Sequence, residues 1–322
     1  MRYRSLADTG ERVPVLGLGT WAIGGDMWGP ADERQSVETV RAAVDAGVVL
    51  VDTAPIYGDG TSERVVGQAL EGLRSRVFLA TKCGLRRDRD GSIVRDLRPD
   101  SVRREVEESL RRLRVETIDL YQCHWPDEET PIEDTAEALE RIREEGKIRH
   151  WGVSNFEPRH IEAALGSGRP VSLQSQYSIV ERLVEDGPLA MAKARDLSFL
   201  AYGPIAGGLL AGKYDTSGPP PRFDAGDARS FFYRFFSEPG WSRVASLVDT
   251  TVECARQMGT TPANLAVAWV LGRPGVTSAL VGARSPQQAL ENARAADLDV
   301  EPAIIERIED AYARISYLPP PR

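Results

Sequence analysis

Lysine is nearly absent from this chain. Its forty basic residues include only four lysines, at positions 82, 147, 193 and 213, which leaves thirty-six arginines. A lysine in a chain that otherwise uses arginine points to a need for the compact ammonium. Histidine is scarcer, with three residues, too few for a hydrolase whose metal takes several imidazole ligands. The three cysteines, Cys83, Cys123 and Cys254, contain no C-x-x-C pair, and their odd number argues against a disulfide framework. No apolar run reaches membrane length, and the opening Met1-Arg2-Tyr3-Arg4 lacks a signal-peptide core. A cytoplasmic protein without membrane association is expected. A basic excess is also missing: the net charge of −8 gives a nucleic-acid partner no support.

What is present is soluble-globular composition, 42% hydrophobic and 27% charged over 322 residues. That length suits one domain over 1–322 built from eight strand–helix units. Two short pieces, Arg2–Leu6 and Glu11–Pro14, flank Asp8-Thr9-Gly10 and read as a hairpin that could plug the bottom of a barrel. Strand-like runs follow at Val15–Gly19, Val48–Asp52, Val77–Lys82, Ile118–His124, Ile148–Ser154, Val171–Gln176, Ser198–Tyr202 and Thr277–Val281. Between and after them, helical spacing predicts helices over Arg34–Ala46, Ser62–Leu70 with Ser62 as cap, Arg98–Leu113, Ile132–Glu145, Pro158–Leu165, Leu189–Asp196 and Ser285–Ala295. Two more, near Ser242–Met258 and Pro302–Tyr312, fit on the outside. This alternation predicts an α/β fold, a (β/α)8 TIM barrel with an N-terminal β-hairpin and two extra helices. A doubly wound sheet would carry a glycine-rich dinucleotide turn, and Gly17-Leu18-Gly19 is not continued at the required spacing. Two stretches break the rhythm. Arg86–Arg98 is charged and reads as a surface loop. Residues 211–240 form a long Gly/Pro-rich connection with five aromatics between Phe231 and Phe236, which reads as a lid rather than a disordered insertion.

Four ionisable residues stand at or just beyond the C-terminal ends of these runs: Asp52, Tyr57, Lys82 and His124. In a parallel barrel that rim carries the chemistry. A phenol is a weak acid at neutral pH. An adjacent ammonium should lower its pKa, and a carboxylate beside the ammonium should keep the lysine charged and placed. An imidazole can orient a carbonyl oxygen. Together they can protonate an oxygen while negative charge builds on it. A Schiff-base aldolase would use Lys82 as nucleophile, but the neighbouring carboxylate opposes the lowered pKa it needs. Strand alternation sends Cys83 and Cys123 to the face opposite Lys82 and His124, into the helix layer.

Several stretches carry a resemblance: Leu16-Gly17-Leu18-Gly19-Thr20-Trp21, Asp52-Thr53-Ala54-Pro55-Ile56-Tyr57-Gly58, Ala80-Thr81-Lys82-Cys83-Gly84, Gly152-Val153-Ser154-Asn155-Phe156, Gln174-Ser175-Gln176-Tyr177 and Ala201-Tyr202-Gly203-Pro204 with Gly207-Gly208-Leu209. The chain resembles the aldo-keto reductase superfamily over nearly its whole length, most of all a bacterial branch of general stress and inositol-utilisation-associated reductases. The resemblance implies a barrel fold and hydride transfer between a nicotinamide cofactor, NADPH/NADP+ first and NADH more weakly, and a small carbonyl or alcohol substrate. It implies Tyr57 as general acid, Lys82 and Asp52 as the groups that tune it, and His124 as the residue that positions the carbonyl. Ser154, Asn155 and Gln176 would hold the carboxamide and Tyr202 would stack on the nicotinamide. Gly203, Pro204, Ile205, Ala206, Gly207, Gly208 and Leu209 would line the pyrophosphate, with Lys213 and Arg229 stapling it. Thr20, Trp21 and Asp52 belong to the same contact set. Gly282, Ala283, Arg284, Gln288 and Asn292 would hold the adenosine end, where much of the family has a lysine, a serine and an arginine in place of Gly282, Ala283 and Gln288. Arg284 and a helix opening at Ser285 could replace them at a 2′-phosphate. Trp21, Tyr57, His124 and Trp125 would line the substrate pocket. Some members of the superfamily serve instead as cofactor-sensing subunits of membrane channels, which is the second reading.

Overall fold

Each apolar run supplies one strand of a closed parallel barrel. The computed structural model describes residues 1–315. The barrel strands are β1 (Leu16–Gly19), β2 (Leu50–Asp52), β3 (Phe78–Cys83), β4 (Ile118–Cys123), β5 (Ile148–Ser154), β6 (Ser172–Gln176), β7 (Ser198–Tyr202) and β8 (Val276–Gly282). They pair in chain order, and β8 closes on β1. The expected (β/α)8 architecture is therefore the observed one.

Strand alternation sorts the side chains. Leu50, Ala80, Leu120, Leu200 and Leu280 fill the barrel interior together with Leu6 and Val13. Those two belong to the N-terminal antiparallel hairpin, Leu6 just after its first strand Tyr3–Ser5 and Val13 within its second, Arg12–Pro14, so the hairpin plugs the bottom as its position suggests. Two residues further along four of these strands stand Asp52, Lys82, Gln122 and Tyr202. A period of two keeps them on the same inward face, at the top. Their neighbours Val51, Leu79, Cys83, Tyr121 and Cys123 belong to the outer core beneath the helices. Both cysteines thus lie in the helix layer, buried and unoxidised.

Several elements differ from the pattern reading. The helix of the second unit spans Thr61–Ala69 and starts after Gly60, whose φ is +82°. Ser62 does not cap it; its hydroxyl bonds Thr20 and Thr53 in the core. The segment 86–98 is not a plain loop, because Leu85–Arg87 pairs antiparallel with Ile93–Arg95. The helix near 189–196 is only Ala190–Ala194, preceded by a wide turn over Glu185–Leu189. One helix, Pro262–Leu271, has no counterpart in the pattern reading. It is buried from Asn264 to Leu271, so every face is apolar and the amphipathic signature vanishes. The long connection after β7 is an ordered aromatic pack in which Tyr214, Phe223 and Phe236 interlock with Trp241 of the following helix.

One buried carboxyl under the rim couples stability to pH. Glu105 accepts from the Gly84 backbone N–H at 3.1 Å, and burial, only partly offset by that bond, pushes its pKa up to about 8. The folded state holds a proton that the unfolded state releases near pH ~4.3. Stability from this group is complete below that pH and is lost as pH rises through 8. Glu105→Gln keeps the acceptor without the titration. It should raise Tm at pH 8 and leave it unchanged at pH 4, as read by thermal melts at the two pH values; equal shifts at both would remove the linkage.

Candidate active site

The rim residues converge because three buried hydroxyls fix the loop between them. Thr20 donates its hydroxyl to the Asp52 carbonyl at 2.9 Å, and Ser62 bridges Thr20 (2.7 Å) and Thr53 (2.9 Å). A second device is a close backbone approach. A Cβ on Gly58, whose φ is +62°, would lie 2.1 Å from the Gly24 carbonyl oxygen, and a Cβ on Gly24 would meet the Tyr57 carbonyl carbon at 2.6 Å. Only glycine at both positions lets the loop after β1 press on the turn that carries Tyr57.

Lys82 sits at the centre. Its Nζ donates to Asp52 Oδ2 at 2.5 Å, to the Thr53 carbonyl at 3.0 Å and to the Tyr57 hydroxyl at 3.3 Å. All three ammonium protons are used. Asp52 Oδ1 accepts from Gln174 at 2.8 Å and from Gln122 at 3.2 Å. The carboxylate of β2 is thus held by three side chains, from β3, β4 and β6. Neither glutamine was singled out from the sequence, although both occupy inward strand positions among polar neighbours. The His124 ring meets Tyr57 edge-on, with centroids 5.8 Å apart, and Trp21 stacks on the other side of Tyr57 at 6.0 Å.

The electrostatics differ from the sequence expectation in one respect. Burial, with the Asp52 charge second, drives the Tyr57 pKa well above the ordinary phenol value. It is not lowered by the adjacent ammonium, because desolvation of the phenolate outweighs one ammonium that is already neutralised by Asp52. Burial also lowers the Lys82 pKa, against the opposing pull of Asp52, so the carboxylate offsets only part of the desolvation. His124 is pushed well below its usual value by burial and then by Lys82. At neutral pH the rim therefore presents a protonated phenol beside a neutral imidazole.

These groups open onto one elongated cavity of about 610 Å³. Of the residues singled out from sequence, Thr20, Trp21, Asp52, Tyr57, His124, Trp125, Ser154, Asn155, Tyr202, Gly203, Pro204, Ile205, Gly207, Gly208, Lys213, Arg229, Gly282, Arg284 and Gln288 line it. Gln176, Ala206, Leu209, Ala283 and Asn292 do not. Ala206, Leu209 and Ala283 are buried behind the wall. Gln176 ends β6 level with Tyr202, and the wall is formed by Gln174 instead. Asn292 donates to the Gly282 carbonyl at 3.1 Å. Lys82 lies under the floor, fully buried. Phe231, Phe232 and Tyr233 of the aromatic loop also line it, as do Met27, Trp28 and the hairpin residues Leu85, Ile93 and Arg95; these last five carried no sequence signal, since loop packing brings them in.

One end of the cavity can take a phosphate. Gly207 and Gly208 have φ of +66° and +90°, so the backbone turns without side chains at this point. A Cβ on Gly207 would strike the Tyr233 ring at 3.1 Å. Lys213, Arg229 and Arg284 surround this end. Arg229 is not free, since it forms a two-point pair with Asp227 (2.8 and 2.5 Å). Arg284 donates to the Trp28 and Pro30 carbonyls at 3.0 and 2.6 Å, which ties the loop after β1 to the loop after β8. Tyr202 presents its ring to the cavity and donates its hydroxyl to Asn155 Oδ1 at 2.8 Å. A flat ring, a glycine cradle and flanking cations fit the parts of a nicotinamide dinucleotide.

The chain belongs to the aldo/keto reductase family, whose model matches residues 15–313. Among its relatives, the aldo-keto reductase YhdN of Bacillus subtilis is 42% identical over 291 residues, covering 89% of this chain and 86% of that protein. The NADH-specific methylglyoxal reductase of Escherichia coli is 36% identical, over 98% of this chain and all of the relative. Among solved structures, the glycerol dehydrogenase of Gluconobacter oxydans superposes with a TM-score of 0.88 at 37% identity, covering 99% and 98% of the two chains. An aldo/keto reductase of Klebsiella pneumoniae in complex with NADP and acetate gives 0.74 at 29% identity, covering 97% and 96%.

Proposed function

We propose that this protein is an NADP(H)-dependent oxidoreductase that interconverts small aldehydes, ketones or sugar-like carbonyls with their alcohols. One observation carries the reading: a single buried ammonium touches both Asp52 and Tyr57 at the floor of a cavity that Tyr57 and His124 share. Tyr202, Asn155 and Ser154 would hold a nicotinamide, which would supply or accept the hydride when bound. The chain's own residues do the rest. His124, neutral, donates a hydrogen bond to the substrate oxygen and orients it. Tyr57 gives its proton to that oxygen as charge develops there. Lys82, already a donor to the Tyr57 oxygen, stabilises the phenolate that results, and Asp52 keeps Lys82 in place. Trp21, Trp125 and the lid aromatics shield the site from water and make it tolerant of substrate shape.

NADPH oxidation against a panel of aldehydes and ketones tests this reading. Carbonyl-dependent oxidation supports it. Tight NADPH binding with no turnover on any carbonyl would favour a cofactor-sensing role.

We assign a 2′-phosphate preference to Arg284, which lines the cavity just beyond the end of β8. Its carbonyl partners are neutral, so its charge remains available to an anion. Arg284→Ala should weaken NADPH by at least ~10-fold, the scale of one charge-assisted contact, and weaken NADH much less. Fluorescence titration with each cofactor measures both. Equal losses would leave Arg284 as a loop tether only.

A further inference from the structure

The chain is acidic overall, with a net charge of −8, yet the cavity lining is cationic. Its one carboxylate, Asp52, is neutralised by Lys82. Lys213, Arg229 and Arg284 gather at the β7–β8 side, where the proposed dinucleotide phosphates would lie. A fourth cation, Arg95, stands elsewhere. It ends the hairpin that follows β3, and β3 is four places from β7 in the eight-strand ring, on the opposite side of the mouth. No phosphate of a cofactor held at β7 and β8 would reach across to it.

Arg95 also differs from Arg86 and Arg87, the other arginines in the strands of the hairpin. Arg86 pairs with Asp96 at 3.1 Å, and Arg87 pairs with Asp59 at 3.2 Å and Asp26 at 3.5 Å. Arg95 has no carboxylate among its described ion pairs and hydrogen bonds. It is held by neutral groups: its Nη1 donates to the Pro126 carbonyl at 3.2 Å, and its guanidinium lies over the Trp125 ring at 5.1 Å. Trp125 directly follows His124. The exposed charge thus lies on an aromatic face that lines the same cavity as the imidazole, with most of its donors unspent.

We propose that Arg95 recognises an anionic group on the substrate, and that the favoured substrates are small carbonyl compounds bearing a carboxylate distal to the reacting carbonyl. The inference rests on the reductase reading above and deepens it. A single guanidinium, the one hairpin cation in the cavity lining among the described residues, matches a monoanionic carboxylate, which its planar fork grips at two points. The carbonyl end then lies toward Tyr57 and His124, and the carboxylate toward the hairpin. The contact is equally strong before and during hydride transfer, so it acts on KM and leaves kcat alone.

Matched aldehydes separate this from simple packing. 4-Carboxybenzaldehyde and methyl 4-formylbenzoate share a reacting group and differ in one charge. The wild-type protein should favour the acid by about 10-fold in kcat/KM, the scale of a charge-assisted contact weakened by solvent. The preference should reside in KM and shrink as ionic strength is raised to 1 M, where screening acts within ~3 Å. Arg95→Gln should abolish the preference by losing the acid alone, and Arg95→Lys should keep part of it. Equal kcat/KM for acid and ester in the wild type, or equal losses on both in Arg95→Gln, would overturn the inference while the ester turnover upholds the reductase reading. No turnover of either aldehyde would overturn both.

Discussion

Tyr57→Phe is expected to lower kcat for carbonyl reduction by at least ~100-fold, the usual scale of general acid catalysis, with NADPH affinity unchanged. The ring stays and only the hydroxyl goes, so the stack on Trp21 and the edge contact with His124 persist. Tyr202 and Tyr233 also line the cavity, but Tyr202 donates its hydroxyl to Asn155, and Tyr57 is the tyrosine whose ring meets His124, whose imidazole is driven to its neutral form by burial and Lys82. The pH profile sharpens the test. Burial and Asp52 raise the Tyr57 pKa, so the acid form persists as pH climbs through the ordinary phenol range near ~10. Reduction should stay flat there, whereas alcohol oxidation, which needs the phenolate, should rise with pH. Steady-state rates in both directions read this. Unchanged turnover in Tyr57→Phe would move the acid role to another group.

Lys82→Met should be the most costly substitution in the barrel. Lys82 is wholly buried and Asp52 is only 3% exposed. Removing the ammonium leaves Asp52 Oδ2 without its 2.5 Å partner and strands a charge in the core. Breaking such a pair from one side costs about 3–5 kcal/mol, a large part of a typical domain's stability. The double change Lys82→Met with Asp52→Asn removes both charges and should recover much of that loss, since Gln122 and Gln174 still bond the side-chain oxygen that remains. Turnover should stay abolished in both variants, because neither supports the Tyr57 phenolate. Urea unfolding and the NADPH oxidation assay separate the two roles. A single variant as stable as the parent would mean that the pair is not buried in the folded protein. A double variant that regains activity would show that Lys82 does not act on Tyr57.

Much of the architecture was written in local patterns. Short apolar runs at regular intervals announced β1 to β8, because a parallel strand buried on both faces has little choice but aliphatic residues. The rim residues were legible for a related reason: Asp52, Lys82 and His124 stand at the ends of such runs and Tyr57 in the loop after one, and strand length decides where the chain emerges. The helix Pro262–Leu271 escaped because a helix enclosed on all sides has no polar face to mark its period. The pairing of Leu85–Arg87 with Ile93–Arg95 escaped because three-residue strands rich in arginine carry almost no alternation. Ser62 was misread as a cap because a serine before a periodic run is the usual sign, whereas Gly60 at positive φ makes the turn and frees the hydroxyl for the core.

The sequence by itself determined the barrel, its plug, the outward cysteines and which four side chains stand at the mouth, since all follow from spacing along one strand or helix. Tertiary structure alone decided how those groups behave. Burial, a property of the whole assembly, reversed the expected direction of the Tyr57 pKa. Gln122 and Gln174, from two other strands, became the clamps on Asp52. Asp227 claimed Arg229, the β1 loop claimed Arg284, and Arg95 was left facing the mouth on the side away from both. Charge and desolvation act through space, between residues whose separation along the chain carries no record of their meeting.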